Sequence, residues 1–413
     1  MSSKRVFSPA LFDIAQDISF GLPTELLREW GLSDQSTETA HSLLAPTKVI
    51  GTTVVSDTAG LTRLTAEKGL VEILSLIDAP KRLVYSYGRA IGGSGVGVWA
   101  ADNTQMWYPE SVSRYEIARM LLGVQESIGK ECGVRIGMGA HFGTFYSIGG
   151  GLYGAEADAI EEIAENVSEG GEILVTEELL RDLGETHPFS VTAHQHSDAE
   201  LSIFRLTGGP VFHTAARNGE ERYPIPYSNA FHDELLSFEK TTGSAAALDL
   251  ENRHMREMCV VLVEREREDE SSLEKRFLND FALSLVLATA GRGFLRDVMS
   301  EVKVVGHIAI YVFEESKEAV EFAIGLRAQL ISEGVQTRIG IAQGGILLFD
   351  LARGGRDIAG APVNIASKMA QDKGRFGSLY MTKEVGEQSS FLGSVPIQFD
   401  VSHTKIDAFE VRD

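Results

Sequence analysis

The stretch VRIGMGAHFG, residues 134–143, returns later in the chain as TRIGIAQGG, residues 337–345, and this repeat decides the fold. Both copies join an apolar run to a glycine-rich end, a pattern that indicates a buried strand leading into a tight turn. A second match, at an offset of 206 residues, pairs GEILVTEEL from Gly171 with GSLYMTKEV from Gly377. This period is too long for the unit of a solenoid. The sequence therefore predicts two homologous domains in tandem.

Each repeat predicts the same order of elements. An apolar run opens it, VIGTTVVSD from Val49 and MCVVLVE from Met258, and a helical stretch follows. A hairpin-like pair comes next, for which RAIGGSGVGVW from Arg89 aligns with KVVGHIAIYVF from Lys303. An amphipathic helix, the repeated RIG strand and a third helix complete the unit. The βαββαβ order predicts ferredoxin-like α+β domains, each a sheet with helices on one face.

These elements divide the chain into four parts. Residues 1–45 are predicted to form a helical extension, residues 46–208 the first domain and residues 255–413 the second. Between the domains, residues 209–254 contain Gly, Pro and Ser-Ala-Ala runs around one helical stretch, HDELLSFEK. This composition is typical of a linker arm.

Composition and charge exclude several classes of protein. Of the 413 residues, 43% are hydrophobic and 23% are charged, which predicts a globular chain. The net charge of −21 argues against binding to nucleic acid or to an anionic membrane surface, since both require basic surface. Two cysteines are too few for a disulfide framework or a cysteine zinc site. Because the sequence has neither a long apolar run nor a signal-peptide core, a cytoplasmic location is expected.

Four motifs recur in the same order in both domains. They are VVSDTAGLT from Val54, the two hairpin stretches, VRIGMGAHFG at the central strand, and RDIAGAPVNIASKMA from Arg356. Together they resemble the class III nucleotidyl cyclases, the catalytic domains of adenylyl and guanylyl cyclases. In that family the hairpin reads Lys-x-x-Gly-Asp and the third helix starts with Asp-Tyr-x-Gly-x-x-Val-Asn-x-Ala-x-Arg. The resemblance covers both domains and implies that they pair head to tail as an intramolecular pseudo-dimer.

In the first domain the resemblance implies the metal side of a site for ATP or GTP. Asp57 matches the first metal-binding aspartate, whereas Gly93 stands where the second is expected. Gly60, Leu61 and Thr62 match a turn whose backbone amides face the phosphates, with Leu61 in place of the family's aromatic residue. Carboxylate oxygens suit Mg²⁺ or Mn²⁺, which the site would hold when a nucleotide is bound; no other cofactor is implied.

In the second domain the resemblance implies the base side of the same site. It assigns purine recognition to Lys303 and Asp357, and orientation of the ribose or phosphate to Asn364. Lys368 stands in for an arginine that stabilises the transition state. A lysine keeps the positive charge but lacks the planar fork that binds two phosphate oxygens. The two domains thus contribute complementary halves of one composite site.

The mirror-image site is expected to be inactive. Glu264 and His307 replace its two metal aspartates, and the acidic run EREREDE that starts at Glu264 would repel a triphosphate. The residues that the first domain would contribute there are Arg89, Gly151, Asp158 and Glu162. An acid at position 162 opposes the charge that the transition state requires.

Ordinary structural roles are the alternatives for these residues. Asp57 is also suited to cap a helix that begins after it. Lys303 also fits a side chain that extends from a strand end into solvent. Asp357 and Asn364 are common at a turn and at a helix start, respectively.

Two changes, the missing carboxylate at Gly93 and the lysine at position 368, favour a pseudo-cyclase over an active enzyme. Such a protein would act as a nucleotide-sensing or protein-binding regulator in signalling. The alternative is an active adenylyl or guanylyl cyclase that converts ATP or GTP to the 3′,5′-cyclic nucleotide and pyrophosphate at one composite inter-domain site. The expected partners are ATP or GTP and a signalling protein, but neither nucleic acid nor membrane; further oligomerisation stays open. If only these two changes disable the site, Gly93→Asp with Lys368→Arg should raise cyclase activity.

Overall fold

The structure of the protein is a computed structural model, and it describes most of the chain between residues 24 and 411. The internal residues that it leaves out are 61–63, 65–67, 98, 100–102, 185, 195–200, 215–221, 226, 242–243, 268–271, 298–299, 352–355, 373, 392 and 402–403. Residues 1–23 of the predicted helical extension therefore lie outside the described residues. The chain divides into two compact units. One is Leu44–Leu248, and the other combines Asp249–Asp413 with the N-terminal segment that ends at Leu43.

Two helices, α1 and α2, precede the first sheet, and the sheet and its helices follow in the order of the chain. The N-terminal helices are α1 (Thr24–Leu32) and α2 (Thr37–Leu44). The described elements of the unit Leu44–Leu248 are β1 (Lys48–Thr58), α3 (Leu70–Ala90), β2 (Ser94–Gly95), β3 (Thr104–Pro109), α4 (Arg114–Glu131), β4 (Ile136–Ile148), β5 (Gly151–Tyr153), α5 (Ala155–Glu162), β6 (Ile173–Thr176), α6 (Glu177–Arg181), β7 (Ser190–Ala193), β8 (Ile203–Gly208) and α7 (Asn229–Thr241).

The second unit repeats this pattern after the connecting helix α8 (Ser244–His254). Its described elements are β9 (Met255–Arg265), α9 (Leu273–Phe294), β10 (Glu301–Val305), β11 (Ile308–Phe313), α10 (Ser316–Ser332), β12 (Thr337–Asp350), β13 (Arg356–Ala359), α11 (Ala361–Ser367), β14 (Leu379–Thr382), α12 (Lys383–Ser389), β15 (Ser394–Val401) and β16 (Thr404–Val411).

The two sheets have the same strand order. The first runs β2-β3-β1-β4-β6-β8-β7 with β5 paired to β4, and the second runs β10-β11-β9-β12-β14-β16-β15 with β13 paired to β12. In both, the two central strands are antiparallel, and the next pair, β4 with β6 or β12 with β14, is parallel. This confirms the predicted fold class, two tandem α+β domains of one design. Their pairing as a pseudo-dimer stays a prediction.

The core of the first domain lies on both faces of its sheet. On one face Val54 packs with the apolar side of α4, which repeats at helical spacing through Ile117, Leu121 and Val124. Neighbouring residues of a strand point to opposite faces, so Val55 instead joins a smaller cluster with Ile160 of α5. The expectation of helices on one face therefore holds for the long helices but not for α5.

The structure aligns the central strands β4 and β12 differently from the sequence, with a shift of two residues relative to the match of the RIG triplets. Met138 N–H donates to Glu172 O in the first domain, and Ile339 N–H donates to Ser378 O in the second. Met138 therefore corresponds to Ile339, and the two RIG triplets, which the sequence aligned, are not equivalent. A slip of two residues leaves every side chain on its own face of the sheet, so the apolar pattern cannot detect it.

Each unit also includes a helix that precedes the sheet of the other unit in the chain. Trp30 of α1 donates its Nε1–H to Asn279 Oδ1 of α9 at 2.9 Å, and Leu27 joins the same core. In the unit Leu44–Leu248, α7 packs on α3. Helices α1 and α2 precede β1 as α7 and α8 precede β9, so the repeat includes a helix pair before each sheet.

Candidate functional site

Strand β1 carries Asp57 to its end, where the chain leaves the sheet. The turn that follows includes Gly60, which has a φ of +74° and an exposed position with no atom within 4 Å of an added Cβ. Leu61 and Thr62, the other predicted turn residues, lie outside the described residues. Helix α3 begins at Leu70 and has Gly69 as its N-cap.

The residue that faces Asp57 across the sheet is Gly137 of β4. A Cβ added to Gly137 would overlap Ser168 Oγ and would lie 3.2 Å from Glu169 O. A larger residue therefore does not fit without a shift of Ser168. The half-buried carboxylate of Asp57 thus lies opposite a position that contributes no charge.

The prediction that Gly93 occupies the second metal position is wrong. Gly93 follows α3, precedes β2, and donates its N–H to Gly88 O at 2.9 Å. In the second domain the corresponding turn is Gly306–His307, and the next residue, Ile308, pairs with Glu264. In the first domain, β3 begins with Thr104 paired to Ser56, so the same register places residue 103 opposite Asp57. Asn103, about ten residues after Gly93, is therefore the equivalent of Ile308.

The predicted equivalence of Arg89 with Lys303 is also wrong. Arg89 belongs to α3 and donates from Nη1 to Gly93 O at 3.0 Å. Lys303 pairs with Ile310 in its hairpin, as Val96 pairs with Gln105 in the first domain. The glycine run of the α3–β2 connection had displaced the sequence alignment by seven residues.

In the second domain the structure brings Lys303 and Asp357 together. Lys303 Nζ of β10 donates to Asp357 Oδ1 of β13 at 2.7 Å. The same oxygen accepts the Ile358 N–H at 2.9 Å, and Asp357 is only 7% exposed. A buried carboxylate requires such partners. Lys303 is therefore paired with Asp357 instead of extending alone into solvent.

The other two predicted residues of this domain follow Asp357 on the next helix. Gly360 has a φ of +150°, and an added Cβ would lie 2.8 Å from Gly345 O, so glycine permits the close approach to β12. Helix α11 then carries the exposed Asn364, and half-buried Lys368 begins the π-helical turn after it. Residues four apart lie on the same side of a helix, so Asn364 and Lys368 share a face.

The residues that the sequence matched to the second domain's metal aspartates form an ion-pair network that the sequence did not predict. Glu264 has 8% of its side chain exposed, and Arg338 Nε donates to its Oε2 at 2.6 Å. His307 Nε2 lies 3.6 Å from Glu264 Oε1 and 3.1 Å from Arg267 Nη2. Burial, and then the charge of Arg267, lower the pKa of His307 to about 4, so its imidazole is neutral at pH 7.

Arg338 supplies the positive charge that a metal ion would otherwise bring to Glu264. It faces Glu264 across the sheet in the register in which Gly137 faces Asp57. A cation entering this position would have to displace the partly buried guanidinium of Arg338. The charge of Glu264 is therefore balanced by a cation of the protein itself.

Two further features are absent from the described parts of the chain. There, no three or more His, Cys, Asp or Glu side chains are grouped in a way that could hold a metal ion. Among the described helices, none has the length and apolar character needed to cross a membrane.

Comparisons with known proteins gave structural matches only. No protein-family model matches the chain, and no curated protein sequence is significantly similar to it. A class III adenylyl cyclase-like ATP-binding protein from Pseudomonas aeruginosa is 12% identical, with a TM-score of 0.48 over 83% of this chain and 85% of that one. The guanylate cyclase domain of RhGC from Catenaria anguillulae, in complex with GTP, is 14% identical, with a TM-score of 0.34 over 39% of this chain and 98% of that one.

The adenylyl cyclase CyaB from P. aeruginosa is likewise 14% identical, with a TM-score of 0.34 over 39% of this chain and 95% of that one. At such low identity a similar fold does not establish a shared activity. The structural neighbours of this protein are class III adenylyl and guanylyl cyclase-like proteins, in agreement with the resemblance of its sequence motifs.

Proposed function

We propose that this protein binds ATP or GTP with a divalent metal ion and acts as a nucleotide-sensing regulator derived from the class III cyclases. The observation that carries the proposal is the pair of Lys303 and Asp357. A lysine donor and a carboxylate acceptor, held side by side by β10 and β13, are complementary to the edge of a purine base. The buried position of Asp357 fixes the acceptor in place.

The two domains keep different halves of the residues that a cyclase requires. The first has Asp57 opposite a glycine, which suits a metal ion, and the second has Lys303, Asp357, Asn364 and Lys368. The second domain does not keep the metal half, since Glu264, its equivalent of Asp57, is paired with Arg338. We therefore infer that the two retained halves serve one nucleotide.

A divalent metal fits the residues that the first domain retains. Mg²⁺ is commonly held by one or two carboxylates together with phosphate oxygens of the substrate, and Asp57 provides one such carboxylate. The ion would neutralise phosphate charge, which matters for a protein of net charge −21. The turn at Gly60 would place backbone amides beside the phosphates. Mg²⁺ or Mn²⁺ is therefore part of the proposal.

An active adenylyl or guanylyl cyclase is the second candidate, and the register of the hairpin favours it. With Gly93 excluded from the metal position, the sequence offers Asp102, the residue before Asn103, as the candidate for it. Asp102 itself lies outside the described residues. The lysine at position 368 is then the main departure from the family's catalytic set.

Thermal stabilisation and product formation, measured on the full chain, test both candidates. With Mn²⁺, a non-hydrolysable ATP or GTP analogue at 100 times its Kd should stabilise the folded chain by about 2.7 kcal/mol. Asp57→Asn and Lys303→Ala should each raise the ligand concentration needed for this stabilisation at least tenfold. Arg89→Ala, which alters a cation of helix α3, is the matched control and should leave it unchanged.

The outcome separates the two functions. Stabilisation without cyclic nucleotide indicates the regulator, and turnover that Asp57→Asn abolishes indicates the enzyme. An equal effect of Arg89→Ala and Lys303→Ala would contradict the assignment of the halves. A cytoplasmic location and a signalling protein as partner remain parts of the proposal.

A further inference from the structure

The arm that links the two domains contacts the β2–β3 connection of the first domain at Trp99. Trp99 N–H donates to Pro224 O at 2.9 Å, and the Tyr223 ring stacks on the indole with centroids 5.4 Å apart and an interplanar angle of 21°. Pro224 also packs on β2, since a Cβ added to Gly95 would lie 2.7 Å from its ring. The arm therefore holds both the backbone and the side chain of this connection.

Contacts from within the domain complete the enclosure of Trp99. Its Nε1–H is shared between Val96 O at 3.2 Å and Gln105 O at 3.1 Å, which joins the two sides of the hairpin. Lys81 Nζ of α3, itself 1% exposed, donates to Trp99 O at 3.0 Å. Trp99 is 2% exposed, so any loss of the arm would expose a large apolar ring.

A buried carboxylate on α3 anchors the arm. Asp78 Oδ1 accepts hydrogen bonds from the Tyr223 hydroxyl and from His232 Nε2 of α7, the latter at 2.9 Å. Arg82 Nε lies 3.0 Å from Asp78 Oδ2. Burial by itself raises the pKa of Asp78, but His232, Tyr223 and Arg82 outweigh it and hold that pKa below its usual value. The anchor is therefore an ionised group that would keep Arg82 but lose its two partners from the arm, Tyr223 and His232, if the arm left.

The second domain shows why its hairpin does not require such an arm. There, β10 and β11 are joined by the two residues Gly306–His307, and Arg265 N–H donates to His307 O at 2.9 Å. In the first domain, residues 96–103 separate β2 from β3. A longer connection has more conformational freedom to lose. External contacts to Trp99 supply the order that the short turn supplies in the other domain.

We propose that Tyr223 and Pro224 are positioning residues for the metal side of the first domain, and that Asp78 anchors them. The inference rests on the proposed function, which gives the first domain a metal ion. The hairpin that Tyr223 and Pro224 hold, β2–β3, is equivalent to β10–β11 of the second domain, and the turn of β10–β11 contains His307, which the sequence matched to a metal position. Since residues 209–254 connect the two domains, a change in this arm would be transmitted to the hairpin. A change in the conformation of the arm would therefore alter metal binding in the first domain.

Hydrogen exchange of the full chain, measured by peptide, tests the positioning directly. Asp78→Asn should accelerate exchange of peptides covering β2 and β3 by about tenfold. Tyr223→Phe, which keeps the ring that stacks on Trp99 but removes the hydroxyl, should do so by a smaller factor and guards against misfolding of the first variant. Trp30→Phe removes the equivalent buried anchor of α1 to Asn279 and is the matched control. It should loosen α1 without changing exchange in β2 and β3.

The Mn²⁺ concentration needed for nucleotide-dependent stabilisation is the second readout. It should rise in Asp78→Asn, while affinity for the nucleotide at saturating Mn²⁺ changes less than twofold. Unchanged exchange in β2 and β3 in both arm variants would overturn the inference, as would faster exchange with an unchanged Mn²⁺ requirement. If the unaltered chain binds no nucleotide, the proposed function fails, and with it the link to metal binding. Faster exchange then still supports the positioning of the hairpin, and unchanged exchange overturns it.

Discussion

The two domains fold alike but differ at one pair of facing residues on their central strands. In the first domain Asp57 faces Gly137, and in the second Glu264 faces Arg338. The acid of the second domain has its charge balanced by the protein itself, whereas the residue opposite Asp57 has no side chain. The comparison teaches that the same strand-end position can keep an acid in both domains while the residue that faces it changes from a glycine to a cation. Four variants test or sharpen this difference.

The largest effect is expected for Arg338→Ala. The substitution leaves Glu264, with only 8% of its side chain exposed, without its guanidinium partner. Breaking a buried pair from one side costs about 3 kcal/mol. Urea unfolding of the full chain, followed by circular dichroism, measures the loss. Adding Glu264→Gln to the same chain should recover part of the stability because no buried charge is then left unpaired. A loss below about 0.5 kcal/mol would mean that Arg338 does not balance Glu264.

The comparison of the domains also shows which features the sequence could predict. The tandem α+β fold followed from apolar runs that recur with an offset of 206 residues, as in the stretches from Gly171 and Gly377. The alignment of the RIG triplets failed by two residues, because the face of a strand repeats every two residues. The glycine run around Gly93 was taken for a hairpin, although it joins a helix to a strand.

The sequence proposed residues for the site where a motif within one element pointed to them, but it missed contacts that packing decides. It singled out Lys303 and Asp357 separately and did not predict their ion pair, which depends on the approach of β10 to β13. Arg338 and Asp78 have no sequence signature because each acts through a partner distant in the chain. The packing of α7 on α3 likewise depends on a tertiary contact that local propensity does not encode.

The second variant, Gly93→Asp, addresses the proposed repair of the metal site. An added Cβ would overlap the ring of Tyr108, a fully buried residue, and would lie 2.9 Å from Gly88 O. Overpacking of this kind costs about 2 kcal/mol. The expectation that Gly93→Asp with Lys368→Arg raises activity is therefore reversed: we expect a lower melting temperature and no gain in product.

The matched control for that variant is Gly293→Asp, at a position where an added Cβ meets no atom within 4 Å. It should change the free energy of unfolding by less than about 0.5 kcal/mol. A Gly93→Asp chain with unchanged stability and new cyclase activity would restore the original alignment and remove the argument for residue 102.

The third variant compares the stability contributed by the Lys303–Asp357 ion pair with that contributed by the Glu264–Arg338 pair. Lys303→Ala removes the partner of Asp357, but about a third of the lysine side chain is exposed, at 33%, so solvent screens the pair. We expect a loss near 1 kcal/mol, smaller than for Arg338→Ala. A double-mutant cycle with Asp357→Asn measures the coupling between the two side chains. Coupling as large as that of Glu264 with Arg338 would contradict the ranking of the two pairs.

The smallest effect concerns the pH dependence that His307 gives to the second domain. Its pKa in the folded chain is about 4, below the value of 6.5 expected for the unfolded chain. As the pH falls, the unfolded chain binds the proton first, so stability is present above pH 6.5 and is lost between pH 6.5 and about 4. The slope reaches at most about 1.4 kcal/mol per pH unit. His307→Gln should flatten it, which urea unfolding at pH 5.0, 5.5, 6.0 and 6.5 would measure, above the range where most carboxylates titrate. Equal slopes for both chains would show that His307 stays accessible to protons in the fold. The network around Glu264 would then be open to solvent rather than closed by Arg338.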